Sequence, residues 1–528
     1  MNTRIQVLLL VSLCCPLLAQ QHVQIGFANA GLSSIRYAGT ELLARGSFQV
    51  NAVGFETPSG LPSTGSLQVT RTSSDGGKTE LLSFNWGSVK VDYAQQGDIL
   101  SLAIGVFNQT NLTLKTISLD ALAIQLPSTP KEYDGKTPML GTNIGAPTVL
   151  PLTCQNVSVV VTDDDVTKPL LLGMPWSLNA PARTIFPIRI NTGRDPMYPD
   201  SLPYIDRPIA PGKHESILVS LRFSSPEAPA AVSPRDVLTR FAGLNAFSLH
   251  WPDRRPIGSL ILATAATKWS GNPRGWLLDP TINIHTTEGL AAFHKRILAW
   301  ADHSIAILKR MNAQGMITWD IEGEEFPHPI TYIGDPIASA KLAPEMNAIV
   351  DDYFKRFITA GLRVGVTIRP QYLDQTGGLP RQTQSSDPAA ELIRKISYAR
   401  KRWGATLFYI DSNGDAVLPL SFDVIKKVAR AFPDVLLIPE HKNLAYYSFT
   451  APYSESRHGT YSTPTLARSI YPNSFSVINT ADSAVDQHRS DLLDAVNRGD
   501  ILMFRAWFDD PANTTVKAIY AQSKFKAH

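Results

Sequence analysis

Two hydrophobic rhythms divide the chain. Between about residues 22 and 225, apolar side chains recur at every second position in short runs. Ile99, Leu100, Leu102, Ile104 and Val106 follow the turn-forming Gln96-Gly97-Asp98. Leu122, Ile124 and Leu126 alternate, as do Ile217, Val219, Leu221 and Phe223. Successive side chains of a strand point to opposite faces of its sheet, so period two marks strands with one buried face. Gly, Pro, Asn and Asp break the runs and no long helical pattern interrupts them. The sequence therefore predicts an all-β sandwich over residues 21–225. Residues 226–256 read as a linker and helix. Ser224 to Ser233 is rich in Pro, Ala and Ser, and Ser233-Pro234 offers an N-cap followed by Pro at the first helical position.

From about 257 the rhythm changes. Leu260 to Thr264 reads as a short buried strand, and Glu288 to Asn312 has helical periodicity with Gly315 just beyond it. Met316 to Asp320 is the next strand. A helix over Pro344 to Ala360 ends at Gly361, and the strand Arg363 to Arg369 follows. The pattern continues with a helix ending at Trp403-Gly404, the strand Leu407 to Asp411, a helix over Phe422 to Phe432, and the strand Val435 to Glu440. Ser474 to Asn479, a helix over Ala484 to Asn497, and Ile501 to Trp507 complete it. Strand and helix alternating, with Gly at helix ends, is the grammar of right-handed βα units on a parallel sheet. Seven strands can be placed, and the sixth falls within 444–466. About 270 residues for eight units is the size of a (β/α)8 TIM barrel, predicted here over 257–528. The fold class is thus multidomain β plus α/β. A doubly wound open sheet is the alternative, weakened because no Gly-rich nucleotide fingerprint follows the first strand.

Composition narrows the classes of function. The chain has 528 residues, 44% of them apolar, which excludes wholesale disorder and fits two or three domains. Forty-nine basic side chains face 46 acidic ones, leaving no electrostatic footprint for nucleic acid. Cys14 and Cys15 lie in the first twenty residues and Cys154 stands alone after them, so the chain beyond residue 20 holds neither a disulfide framework nor a thiolate metal site. Arg4, the apolar run Ile5 to Leu18, and Ala19-Gln20-Gln21 read as a signal peptide over 1–20. The expectation is a secreted or periplasmic bacterial protein whose mature chain begins near Gln20 or Gln21. No later segment has the ~18 consecutive apolar residues of a membrane span.

In a barrel the chemistry sits at the C-terminal ends of the strands. The second strand ends in Trp319-Asp320-Ile321-Glu322, the third in Arg369-Pro370-Gln371, and the fourth in Asp411-Ser412-Asn413. The fifth ends in Glu440-His441-Lys442, the seventh in Asn479-Thr480-Ala481-Asp482, and the eighth in Arg505-Ala506-Trp507. Any one of these acids alone reads as an exposed loop carboxylate. Together they form a polar ring, with carboxylates from several strands interleaved with Trp and Arg. Sugar cleavage needs such a set. One carboxylate acts on the oxocarbenium-like centre, another protonates the leaving oxygen, and aromatic faces stack on the sugar rings.

The fourth strand, Leu407-Phe408-Tyr409-Ile410-Asp411, resembles the nucleophile strand of the retaining α-galactosidase and α-glucosidase TIM-barrel clan. Trp319-Asp320 resembles that clan's sugar-binding aspartate, and a β-sandwich before the barrel is similar to its larger members. The resemblance implies Asp411 as nucleophile and Asp320 as sugar ligand. It does not supply the acid/base, which the clan takes from its sixth strand. Glu440 is the first choice for that acid, because adjacent strands lie about 4.8 Å apart and a retaining pair needs roughly 5–5.5 Å. Asp482 and Glu455 are the alternatives.

The sequence reading is therefore an exported glycoside hydrolase acting on an oligo- or polysaccharide. Asp411 and Glu440 are its catalytic pair, and Trp319, Asp320, Glu322, Arg369, Asp482, Arg505 and Trp507 bind substrate. No cofactor and no metal are expected. Asp411 to Asp415 mimics the start of a calcium loop, but Ala416 and Phe422 replace the Gly and Glu it requires. His285, His294 and His303 lack ligand spacing. The rival reading is a carbohydrate-binding or scaffold protein with a degenerate barrel. A carbohydrate lyase or a metal-dependent hydrolase using the same acids is a third. Fold alone separates none of these.

Overall fold

A computed structural model describes residues 22–131, 139–140, 147–168, 170–174, 184–193, 207–228, 233–246, 248–264, 268–323, 332–374, 376, 381–413, 420–481 and 485–525. Residues 1–20, expected from the sequence to be a signal peptide, lie outside them.

The N-terminal part is a β-sandwich of two antiparallel seven-stranded sheets. One runs in the order Val149–Thr153, Ser158–Asp163, His214–Ser224, Ile99–Asn108, Gly87–Gln96, Thr79–Phe84, Thr70–Ser74. The other is centred on Thr113–Gln125, paired with Gln49–Glu56 and Ile185–Asn191. The alternation that predicted these strands sets their facing. In Ile99–Asn108, Leu100, Leu102, Ile104 and Val106 all point inward and are fully or almost fully buried. They join Val89, Val91, Ile117, Leu119, Val219 and Leu221 in one apolar core between the sheets.

The C-terminal part is an eight-stranded parallel sheet that curls into a nearly closed barrel. Its strands are β1 (Ile257–Ile261), β2 (Gly315–Trp319), β3 (Arg363–Ile368), β4 (Leu407–Ile410), β5 (Leu436–Pro439), β6 (Tyr453–Glu455), β7 (Val477–Asn479) and β8 (Ile501–Arg505). They pair in the order β5-β4-β3-β2-β1-β8-β7-β6. The Ala451 amide, two residues before β6, donates to Leu437 O on β5 at 3.0 Å and bridges the remaining gap. Period two divides each strand between two layers. Ile317, Trp319, Leu407, Tyr409, Leu436, Ile438, Tyr453, Val477, Ile501 and Met503 pack inside the barrel. Met316, Val364, Val366, Ile368, Phe408, Ile410 and Leu437 pack outward against the helices. Both faces are covered, which is why these strands read as unbroken apolar runs.

Four local expectations are refined. The sixth strand is Tyr453–Glu455, three residues long and too short to show a period. The first strand occupies Ile257–Ile261, not Leu260–Thr264, because the Leu262 carbonyl is taken by the Leu277 amide at 2.7 Å and the chain leaves the ladder. The helix expected over 344–360 is two segments, Pro344–Asn347 and Val350–Thr359. Ser233 does not cap the linker helix, which spans Arg235–Leu244 with Pro234 at the cap position and no side-chain cap bond. The Ser233 carbonyl instead accepts from Arg222 at 2.9 Å.

Candidate active site

The inward residue of each strand predicts the next inward position. Thr367 on β3, Tyr409 on β4, Ile438 on β5 and Tyr453 on β6 are followed, two residues on, by Arg369, Asp411, Glu440 and Glu455. Period two thus delivers these four side chains to the C-terminal mouth from four adjacent or closing strands.

Three of them form one group. Arg369 donates from Nε to Asp411 Oδ2 at 2.6 Å, and its Nη2 lies 2.5 Å from the same oxygen. Its third nitrogen bonds Gln382, whose amide is anchored on the carbonyls of Tyr332 and Ile333 at 3.1 and 3.2 Å. Glu440 Oε2 accepts the Ser412 amide at 2.8 Å. Partial burial and the nearby charge of Asp411 push the Glu440 carboxyl up to about 7, against the opposing pull of the Ser412 amide and Arg369.

The floor beneath the group is aromatic. Tyr409 packs against Trp319 at 5.3 Å and edge-on against Tyr453 at 5.0 Å between ring centroids. Burial and the surrounding charges of Glu440, Asp411 and Glu455 push the Tyr409 hydroxyl well above its ordinary range. Glu455, at the end of β6, accepts from Tyr453 Oη at 2.9 Å and from both Arg457 Nε and Nη2 at 2.5 and 3.0 Å. Two of the residues with left-handed backbone are here: Asp320 (φ 63°) directly after β2, and Ser412 (φ 50°) directly after β4. Such conformations are uncommon outside glycine and concentrate where a site dictates the backbone.

The remaining predicted residues divide. Trp319 lies in the aromatic floor and Asp320 is buried beside it in sequence. Glu322 is fully buried and faces Asp335 and Lys395. Desolvation and Asp335 push its carboxyl up to about 8. Arg505 turns to the loop after β8, with its guanidinium 5.7 Å from the Trp507 ring, 5.6 Å from the Phe508 ring and 3.5 Å from Asp510. Trp507 packs against the core between strands and helices. Asp482 lies outside the described residues.

Sequence reasoning missed Tyr409, Tyr453, Gln382 and Lys395. The two tyrosines had a signal, since each stands two residues before a predicted or alternative acid. Among the described residues no group of three or more His, Cys, Asp or Glu could hold a metal ion, and no helix is long and apolar enough to cross a membrane. A cavity of about 360 Å³, lined by Ala242, Leu249, Tyr447, Ile470 and Phe475 among others, lies towards the opposite, N-terminal ends of the strands and carries no carboxylate.

No family model matches the sequence, and no curated protein matches it. Solved structures do. The α-galactosidase TtGalA from Thermus thermophilus is 9% identical, with 86% of this chain and 99% of that one covered and a TM-score of 0.41. The galactosidase domain of the α-galactosidase–sucrose kinase AgaSK is also 9% identical, with coverage of 89% and 73% and a TM-score of 0.40. The α-N-acetylgalactosaminidase NagBb from Bifidobacterium bifidum is 9% identical over 94% of this chain and 91% of that one, with a TM-score of 0.53. Along nearly its whole length, the chain therefore shares the fold of an α-N-acetylgalactosaminidase, as the resemblance to the α-galactosidase clan implied.

Proposed function

We propose that the protein is a glycoside hydrolase whose substrate is an oligo- or polysaccharide, with Asp411 as nucleophile and Glu440 as general acid. One observation carries the reading. Two carboxyls from adjacent strands meet at the barrel mouth in different electrostatic settings, Asp411 buried against a guanidinium and Glu440 half-buried with its carboxyl up at about 7. Environments that separate two carboxyls in this way divide the labour of base and acid. The substrate carbon attacked by Asp411 loses its bond to the leaving oxygen as that oxygen takes the Glu440 proton. Trp319 and Tyr409 offer the apolar surface on which a pyranose ring stacks, and Asp320 and Glu455 the acceptors for its hydroxyls. With both its oxygens accepting from Arg457 and Tyr453, Glu455 is suited to hydroxyl recognition more than to proton delivery. The fold likeness to an α-N-acetylgalactosaminidase supports the same class.

Export belongs to this proposal and rests on the segment Arg4 to Gln21. N-terminal sequencing of protein from its native host would show a chain starting near Gln20 or Gln21, and retention of Met1 would refute it.

The test of activity is a panel of aryl glycosides, including α-galactosides and α-N-acetylgalactosaminides, together with plant and microbial polysaccharides. Release of aglycone or reducing ends that disappears in Asp411→Asn supports the assignment. One feature favours the rival reading of a binding protein. Arg369 places two nitrogens on the same Asp411 oxygen, which weakens it as a nucleophile. Oligosaccharide binding without turnover across the panel would establish that reading instead.

A further inference from the structure

The helix Pro388–Trp403 carries a charge in the wrong place. Its ends are well defined: Asp387 caps the Ala390 amide at 3.0 Å, Pro388 opens the helix, and Gly404 closes it in the left-handed region (φ 65°). That register turns Ala389, Leu392, Ile396, Ala399 and Trp403 to the barrel, and with them Lys395, which is completely buried. Burying an ammonium is expensive, and an apolar side chain of similar length would fill the space at lower cost. Its two hydrogen bonds go to main-chain carbonyls, Arg369 O at 2.8 Å and Gln371 O at 2.7 Å. These residues flank Pro370, which cannot donate to a neighbouring strand.

Both residues held by Lys395 reach the end of β4. The Arg369 side chain grips Asp411, and Gln371 Nε2 donates to Ser412 O at 3.0 Å. Ser412 in turn donates its amide to Glu440. One ammonium therefore fixes the backbone from which two side chains orient the nucleophile, its neighbour and, through that neighbour, the acid. Resting on the glycosidase reading of this site, we propose that Lys395 is a positioning residue that aligns Arg369 and Gln371 on the Asp411–Ser412–Glu440 group. The titratable and charged groups around Lys395 are Asp335, Glu391, Glu322 and Arg394, and those around Glu440 are Asp411, Arg369, Tyr409 and His441.

The test uses the full-length protein and the variant Lys395→Met, read in two ways. Carbon-13 NMR titration of the Glu440 carboxyl needs no substrate. Loss of the anchor lets Arg369 drift from the pair, and because Arg369 holds the Glu440 carboxyl down, the midpoint should rise by about one pH unit. On any glycoside the wild type cleaves, kcat should fall by roughly 10- to 100-fold with KM within about threefold, and the basic limb of the pH profile should move with the NMR midpoint. A buried residue that merely supports the fold would lower melting temperature and leave the midpoint in place. If Lys395→Met does not fold, Lys395→Gln, which keeps an N–H donor without the charge, should shift the midpoint in the same direction by less. An unchanged Glu440 midpoint in whichever variant folds overturns the proposal. A wild type that cleaves no glycoside overturns the glycosidase reading, while the titration still decides the role of Lys395.

Discussion

The backbone amide of Ser412 donates to Glu440 Oε2 at 2.8 Å, so the residue after the candidate nucleophile is bonded to the candidate acid. The left-handed turn at Ser412 (φ 50°) accompanies this cross-strand bond, where a continuing β conformation would prolong the ladder of β4. The bond favours the ionised carboxylate and offsets part of the upward push from burial and Asp411. The balance leaves Glu440 near neutrality, where a group can both give and take a proton.

Replacing the nucleophile should be the most damaging single change. Asp411→Asn keeps the shape and removes the charge that acts on the anomeric carbon, so turnover should fall by about three orders of magnitude or more. Circular dichroism and melting temperature should show a folded protein. Unchanged turnover of a confirmed substrate would remove Asp411 from this role.

Glu440→Gln separates acid catalysis from binding. Glu440 holds its proton below about pH 7 and loses it above, so wild-type kcat/KM should decline on a basic limb centred near that value. The variant should lose the limb. It should retain far more activity on dinitrophenyl glycosides, whose leaving groups depart without protonation, than on alkyl glycosides, by a ratio of roughly 10²–10⁴. Equal loss on both classes would point to another acid, with Glu455 next to be tested.

These residues differ in how far they could be read in advance. Arg369, Asp411 and Glu440 were legible because each follows an apolar strand, and period two aims each inward. Tyr409 and Tyr453 obeyed the same rule but looked like ordinary core. The β6 strand was hidden because three residues carry no period, and Glu455 was an alternative acid without a placed strand. Glu322 was read as a mouth residue from its nearness to Trp319, yet the left-handed turn at Asp320 sends the chain into a buried cluster with Asp335 and Lys395. Lys395 was out of reach, since its partners are carbonyls more than twenty residues away in sequence.

Gly334 sets the back wall of the Arg369 pocket. Its carbonyl accepts the Arg369 amide at 3.0 Å, its φ is +60°, and a Cβ there would lie 2.8 Å from Arg369 Cγ and 3.0 Å from Arg369 N. Backbone cannot yield as a flexible side chain would. Gly334→Ala should therefore cost about 1–3 kcal/mol and displace Arg369 from Asp411. Denaturant unfolding gives the first quantity and a crystal structure of the variant the second. A variant as stable as wild type with Arg369 in place would show that the loop adjusts freely.

Glu322 should make the protein less stable as pH rises towards 8. Its Oε1 is buried without a hydrogen-bond partner, and its carboxyl is pushed up to about 8, against about 4.3 for an unfolded chain. Below about pH 4.3 both states hold the proton and the group contributes no pH dependence. Between there and pH 8 the folded protein keeps the proton that the unfolded chain has released, so each step up in pH favours unfolding. Above 8 both are ionised and the loss is complete, on the order of a few kcal/mol. Lys395, held down to about 8 by desolvation, works in the opposite direction but only above that pH, so the window from 5 to 8 isolates the acid. Glu322→Gln removes the titration and keeps the shape. Its stability relative to wild type, measured by urea unfolding, should therefore grow steadily from pH 5 to pH 8 and level off beyond. A difference that stays constant across that window would mean that Glu322 is already ionised in the folded protein at pH 5, and that its charge is met by the ammonium of Lys395.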